Sequence, residues 1–217
     1  MNDETITEPS STKAERTRAS ILTAAEELFA KRGYASTRLE DVADQLKLTR
    51  AALFYYYKDK QTLYDAMLEF AFGPLAAKLD DVLVADKSIA ARIEMACEAW
   101  VDALVAQPTL ARLILRFVAD GAEQPAHSVF ANDRIAMKFL QLFQQGRKSG
   151  ELKPLHTDPF HVASAVVGTS VFYVSALASL VPRGKFQPLD PKQVAAHKSE
   201  VLTVVRRLLG IGGKRDR

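Results

Sequence analysis

Thr37-Arg38-Leu39-Glu40-Asp41-Val42-Ala43-Asp44-Gln45-Leu46-Lys47-Leu48-Thr49-Arg50-Ala51-Ala52-Leu53-Phe54-Tyr55-Tyr56-Tyr57-Lys58-Asp59-Lys60 reads as two short helices and the start of a third. Thr37 to Glu40 has the form of a capping box, in which a hydroxyl and a carboxylate satisfy each other's free backbone N–H groups. Leu39, Val42, Ala43 and Leu46 then fall at i, i+3, i+4 and i+7, the spacing of one buried helical face. Only Lys47 and Leu48 separate that helix from the next cap, Thr49, so the two helices must cross. The second runs from Arg50 to about Tyr56 and is anchored by Leu53, which leaves Arg50, Ala51, Phe54 and Tyr55 on its other side. Asp59 caps a following helix whose first turn carries Lys60.

Outward from this stretch, nearly every segment has helical rather than alternating periodicity, which predicts an all-α fold. Upstream, a helix from about Ala14 to Arg32 places Ile21, Ala25, Leu28 and Phe29 on one face, and Gly33 ends it as a left-handed cap. Residues 1–12 are polar, with little to bury, and are expected to form a disordered tail. Downstream, Gly73-Pro74 is expected to break or kink the next helix. Further helices are predicted near 88–107, 108–120, 126–149, 159–181 and 191–209. Pro108, Pro159 and Pro191 suit first turns, Asp158 and Asp190 suit N-caps, and Gly121, Gly150 and Gly210 suit ends. The domain plan is a tail (1–12), a three-helix head (13–60) with 60–72 as connector, and a larger helical body (73–217).

Composition narrows the setting. A 48% hydrophobic content with 25% charged residues supports a sizeable core. Cys97 is the single cysteine, which excludes an intrachain disulfide and a thiol-based structural zinc site and fits a reducing cytoplasm. The acidic, polar N-terminus lacks the basic start and apolar core of an export signal. Val162 to Val181 approaches spanning length but is interrupted by hydroxyls, so it reads as a buried helix and no membrane association is expected. From Lys13 to Lys60 there are ten basic and seven acidic residues, a local excess of +3. That excess means nothing without a motif.

The motif is present. A helix that reads DNA must fit the major groove and present short polar or aromatic side chains to base edges while nearby donors hold phosphates. The second short helix combines small Ala51 and Ala52 with Arg and aromatics. With Ile21-Leu22-Thr23-Ala24-Ala25, Leu28-Phe29, Gly33-Tyr34, Thr37, Asp41-Val42-Ala43 and Leu53 through Lys60, residues 14–72 resemble the tetracycline-repressor (TetR) family of transcription regulators. The resemblance implies a helix-turn-helix head, a C-terminal ligand-sensing and dimerisation domain, and repression of a palindromic DNA operator by a homodimer.

Carried over by position, it implies that Thr37 and Lys60 hold phosphates at helix starts. Thr49, Tyr55 and Tyr56 flank the groove, Arg50 reads bases, Ala51 and Phe54 touch thymine methyls or sugars, and Arg38 is a further DNA-binding candidate. Aromatic runs also pack, and Tyr57 is the one expected to be core. Three residues depart from the family pattern. Lys47 stands in a turn that usually holds Gly, Glu40 where many members carry a basic residue, and Arg38 where a small hydroxyl is frequent.

For the second half, the resemblance implies a pocket for a small, hydrophobic effector. Met95, Cys97, Trp100, Phe117, Phe139, Phe143, Phe172 and Tyr173 are candidate lining residues, although apolar residues at helical spacing equally make plain core. Ala163, Val166, Val167, Gly168, Val171 and Val174 on one late helix, with Val194, Val201, Val205 and Leu208 on the last, give a seam suited either to self-association or to packing within the chain. No enzyme motif accompanies the four histidines. His156, Asp158 and His161 could be imagined around a metal, but Asp158 is better explained as a cap, so neither metal nor other cofactor is expected.

Overall fold

The computed structural model describes residues 12–120, 133–182 and 184–212, with the side chain of Asp133 left aside. Among the described residues there are helices and no strands. Residues 1–11 of the expected tail, Gly121 and the start of the helix placed at 126 lie outside them, whereas Thr12, expected in the tail, caps the first helix.

α1 (Lys13–Arg32) begins one residue earlier than its apolar pattern indicates because Thr12 and Glu15 cap each other reciprocally. Thr12 Oγ1 accepts from the Glu15 N–H at 3.2 Å, and the Glu15 carboxylate accepts from the Thr12 N–H at 2.6 Å. Ile21, Ala25, Leu28 and Phe29 are buried, as their spacing predicts. Gly33 ends the helix with positive φ, but its ψ of 172° takes the chain out extended rather than into the left-handed helical well. A Cβ at Gly33 would lie 2.8 Å from an Asp120 carboxylate oxygen, so close approach as well as conformation favours glycine here.

α2 (Leu39–Gln45) and α3 (Arg50–Tyr56) form the crossed pair. The cap of α2 is shifted by one residue from the expected Thr37/Glu40 box: the Asp41 carboxylate accepts from the Arg38 N–H at 2.8 Å. Thr49 caps α3 as expected, its hydroxyl accepting from the Ala52 N–H at 3.1 Å. Between them Lys47 sits at φ 55°, alone among the described non-glycine residues in having positive φ. Leu53 and Tyr57 are buried together with α1 and α2 residues such as Ile21, Phe29 and Val42.

α4 (Lys60–Val84) starts at the Asp59 cap and continues through Pro74, so Gly73-Pro74 does not break it. Pro74 has no N–H to offer the carbonyl four residues back, and the helix is held across that gap by burial of Phe72 and Leu75 on either side. α5 (Ile89–Ala106), α6 (Thr109–Asp120), α7 (Asp133–Ser149), α8 (Phe160–Ser175), α9 (Leu177–Leu180) and α10 (Pro191–Leu209) complete the chain. The helix expected over 159–181 divides at Ala176 into α8 and α9. Asp190 caps α10, and Gly210 ends it in the left-handed well, where a Cβ would meet the Lys153 carbonyl oxygen at 2.4 Å.

Two apolar clusters organise these helices. One joins α1 to α4 with α6 and part of α8; the other joins α5, α7, α8 and α10, and half-buried Trp100 packs against both. The second cluster settles part of the predicted seam. Val166, Val201 and Val205 are buried within the chain, and Val171 and Val174 are buried in the first cluster, so these five pack internally.

Candidate nucleic-acid interface and apolar cavity

The outward face of α3 is held by a single buried anchor, Leu53, and Tyr57 beyond it. Tyr57 is core, as expected, and its hydroxyl accepts from Arg18 Nε at 3.2 Å. Opposite the anchor, Arg50, Ala51, Phe54 and Tyr55 share one exposed face, Tyr55 being 85% exposed. The Arg50 guanidinium lies over the Phe54 ring at 5.1 Å, and Tyr55 meets half-buried Tyr56 edge to face at 5.4 Å. Arg50 Nε also pairs with a Glu40 carboxylate oxygen at 3.1 Å. Glu40 therefore sits on the same surface and offsets the charge of Arg50. Arg38 and Thr49 are exposed beside this face, although the Thr49 hydroxyl is engaged as a cap.

Two expected phosphate ligands are placed differently. Thr37 is wholly buried, and its hydroxyl donates to the Gly33 carbonyl at 2.8 Å, so it braces the turn after α1 instead of facing outward. Lys60 is half-buried with its Nζ 4.2 Å above the Tyr34 ring, donating to the Ala35 carbonyl at 3.2 Å. Burial holds its pKa below the ordinary lysine value, against the pull of nearby Asp41.

Behind the head, α4, α5, α6, α7 and α8 enclose a cavity of about 460 Å³. Among the described residues its wall is hydrocarbon apart from the Cys97 thiol and the Trp100 indole, and none of the described lining residues is charged. Burial pushes the Cys97 thiol up to about 12, which keeps it neutral. Of the eight expected lining residues, Cys97, Trp100 and Phe139 are in the wall. The other five are not. Phe143 is buried core beneath Arg147, Tyr173 is buried in a stack on His197 at 3.8 Å, and Phe172 points to solvent. Met95 and Phe117 are half-buried elsewhere. On α5 the wall uses Ile93, Ala96, Cys97 and Trp100, the 3–4 spacing of one face, from which Met95 is turned away.

The largest omission is α4, whose Phe72, Leu75, Ala76, Leu79 and Leu83 form a single stripe along the wall. Its 3–4 spacing is visible in the sequence once the helix is not broken at Gly73-Pro74. α6 reaches both regions. Ile114 lines the cavity, while the Arg116 guanidinium donates to the Lys31 carbonyl at 2.7 Å and the Asp120 carboxylate accepts from the Tyr34 N–H at 3.1 Å. Buried Glu26 of α1 accepts from Gln107 Nε2 at 2.7 Å and from the Thr109 hydroxyl, tying α1 to the α5–α6 corner.

Among the described residues no three His, Cys, Asp or Glu side chains gather as a metal site, and no helix is long and apolar enough to cross a membrane. The His156 and His161 rings lie 4.6 Å apart, and the Asp158 carboxylate between them in sequence accepts from the Phe160 N–H at 2.8 Å, as an N-cap does.

This is the architecture of a helix-turn-helix protein: a three-helix head whose third helix leaves one face exposed, packed on a larger helical body. Residues 21–67 match the family model described as "Bacterial regulatory proteins, tetR family". The HTH-type transcriptional regulator TtgR of Pseudomonas putida is 42% identical over 57 residues, which are 26% of this chain and 27% of that one. The chain thus matches about a quarter of that curated relative's length. A tetR-family regulatory protein from Rhodococcus RHA1 superposes with a TM-score of 0.65 at 22% identity, covering 90% of this chain and 98% of that one. A TetR-family regulator from Marinobacter aquaeolei VT8 gives 0.67 at 18% identity, over 88% and 96%. Over residues 21–67 the chain is thus similar to the tetR family of bacterial regulatory proteins, and the two solved structures extend the likeness in fold over the body.

Proposed function

We propose that the protein is a ligand-responsive transcriptional repressor that binds an approximately palindromic operator as a homodimer and is released by a small apolar molecule. The observation that carries the DNA-binding part is the exposed α3 face, on which Arg50, Ala51, Phe54 and Tyr55 stand opposite buried Leu53. Arg50 supplies a guanidinium for the two acceptors of guanine, and Arg38, Thr49 and Tyr56 flank the groove. A phosphate contact by Lys60 requires its ammonium to leave the Ala35 carbonyl, and any contribution of Thr37 is through the turn it braces.

Release follows from two helices that each touch both regions. A molecule in the cavity presses on the α4 stripe and on Ile114 of α6; α4 continues back into the head core, and α6 is bonded to the end of α1. The ligand must favour the conformation that does not fit DNA. Shifting a population from 1:99 to 99:1 takes about 5.5 kcal/mol of differential affinity. With described lining residues that carry no charge and a neutral thiol, the cavity suits a neutral molecule.

The test is a salt-dependent gel shift on the DNA upstream of the gene. Arg50→Ala is expected to lose about 1–3 kcal/mol of sequence discrimination. Glu40→Gln is expected to tighten binding, because it frees Arg50 and removes a negative charge from the phosphate side. Binding indifferent to both substitutions excludes α3 as the reader.

A further inference from the structure

Arg50 is the long, flexible cation of the exposed α3 face, and two neighbours hold its guanidinium. One stands on the same helix: the ring of Phe54, one turn further on, lies under the guanidinium at 5.1 Å. The other comes from α2, where a Glu40 carboxylate oxygen pairs with Nε at 3.1 Å. Among the described residues no ion-pair partner stands at the terminal nitrogens Nη1 and Nη2, and Ala51 beside them has no polar group to compete for them.

A guanidinium can offer its Nε edge or its terminal Nη1/Nη2 edge to the O6 and N7 acceptors of guanine. Glu40 takes the first, so the second is the one presented. An arginine beside a duplex also has a competing use, because a phosphate takes the same fork without regard to sequence. A carboxylate already seated on the Nε edge repels a phosphate from it, while the Phe54 ring fixes the plane.

We infer that Glu40 is a specificity-determining residue of the DNA-reading surface: with Phe54 it aims the terminal edge of Arg50 at a guanine, and it does so at the expense of affinity for DNA of other sequence. The inference rests on the DNA-binding reading above. Glu40 acts through Arg50 and is therefore a positioning residue. Its two effects have different signatures. The negative charge weakens binding to every duplex, because it faces the same phosphates. The hold on Arg50 matters only at the base pair that Arg50 meets. With the Arg50 and Glu40 side chains 71% and 44% exposed, the pair is a weak one, so its effect on discrimination is a few-fold.

Duplexes enriched from a randomised library by the unaltered protein supply the sequence, and each position is then varied in gel shifts at fixed salt. If no sequence is enriched, or if Arg50→Ala leaves the preference at every position unchanged, the reading of α3 fails and the inference with it. Where Arg50→Ala erases the preference for one guanine, the Glu40 variants test the inference alone. Glu40→Met removes both the charge and the pairing atom. Glu40→Gln removes the charge but keeps a carbonyl oxygen that can accept from Nε. Both are expected to tighten binding to a scrambled duplex, roughly twofold. Glu40→Met is expected to lower the preference for that guanine about threefold, whereas Glu40→Gln retains most of it. Phe54→Leu, which keeps apolar bulk without the ring, is expected to lower the same preference about twofold. Each preference is a ratio between two duplexes on one protein sample, so a variant that is partly unfolded still reports it. Full preference in Glu40→Met, equal loss in both Glu40 variants, or a loss spread evenly over all positions overturns the positioning role.

Discussion

The head and the cavity walls are both built from helices with apolar stripes, yet the stripes carry different information. In the head, α2 and α3 are so short that each offers little more than one buried face, and a cap fixes where each begins. What is left over must face outward, which is how Arg50, Phe54 and Tyr55 come to share a surface. In the body, longer helices present apolar residues to several neighbours at once. There a large side chain can be core, cavity wall or outer face without any change in its spacing, as Phe143, Phe139 and Phe172 illustrate on two helices.

The strongest way to break that distinction is to truncate the first two. Phe143 is 1% exposed in a filled cluster, so Phe143→Ala is expected to cost about 3–5 kcal/mol of stability in urea unfolding. Phe139 lines the cavity and is only half-buried, so Phe139→Ala should cost clearly less while changing affinity for the neutral fluorophore N-phenyl-1-naphthylamine. Equal losses from the two substitutions would remove the boundary between core and wall.

How much was legible follows the same line. The caps at Thr49, Asp59 and Asp190, the Leu53 anchor, the burial of Tyr57 and most helix limits can be read from spacing and cap chemistry, because these depend on neighbours within four residues. At Gly73-Pro74 the local rule admits a break or a kink, whereas tertiary burial on both sides carries α4 through without a break. Thr37 misled for a related reason. A threonine before an apolar run looks like a cap, but the Gly33 carbonyl, brought within reach by the extended exit from α1, takes its hydroxyl first. Tyr173 is an aromatic on an inner helix, and nothing local to it announces a stack on His197, 24 positions along the chain.

Thr37 gives a sharper contrast within the head. Thr37→Val keeps the shape and removes the donor to the Gly33 carbonyl, with an expected loss of about 1–2 kcal/mol in thermal or urea unfolding. Because the hydroxyl is wholly enclosed, the folded variant should bind operator with the affinity of the parent once measured well below its melting temperature. A selective loss of DNA binding at unchanged stability would return Thr37 to the phosphate contacts.

His197 offers a comparable probe of the body. Burial against Tyr173 lowers its pKa, partly opposed by the charge of Glu200. The folded state therefore resists protonation more than the unfolded chain does. Its neutral form contributes fully above the ordinary histidine value of 6.5, and stability declines as the pH falls below that value toward the lowered one. His197→Gln should flatten this part of the stability–pH curve, and an unchanged slope would assign the acid sensitivity elsewhere.

The smallest expected effect is at the turn between α2 and α3, where conformation and recognition make opposite demands. Lys47 holds a φ of 55°, a conformation that costs a side-chain-bearing residue about 1–2 kcal/mol. Lys47→Gly relieves it but adds freedom to the unfolded chain, worth roughly 0.5–1 kcal/mol in the other direction. The net gain is therefore expected to be under about 1 kcal/mol, seen as a slightly raised unfolding midpoint. The same substitution removes an exposed cation beside α3. If Lys47 reaches a phosphate in the complex, the slope of log affinity against log salt should fall by about one. A variant that is more stable yet binds DNA with a shallower salt dependence would show that the strained turn is kept for its charge; an unchanged slope would show that the lysine brings strain without a DNA contact.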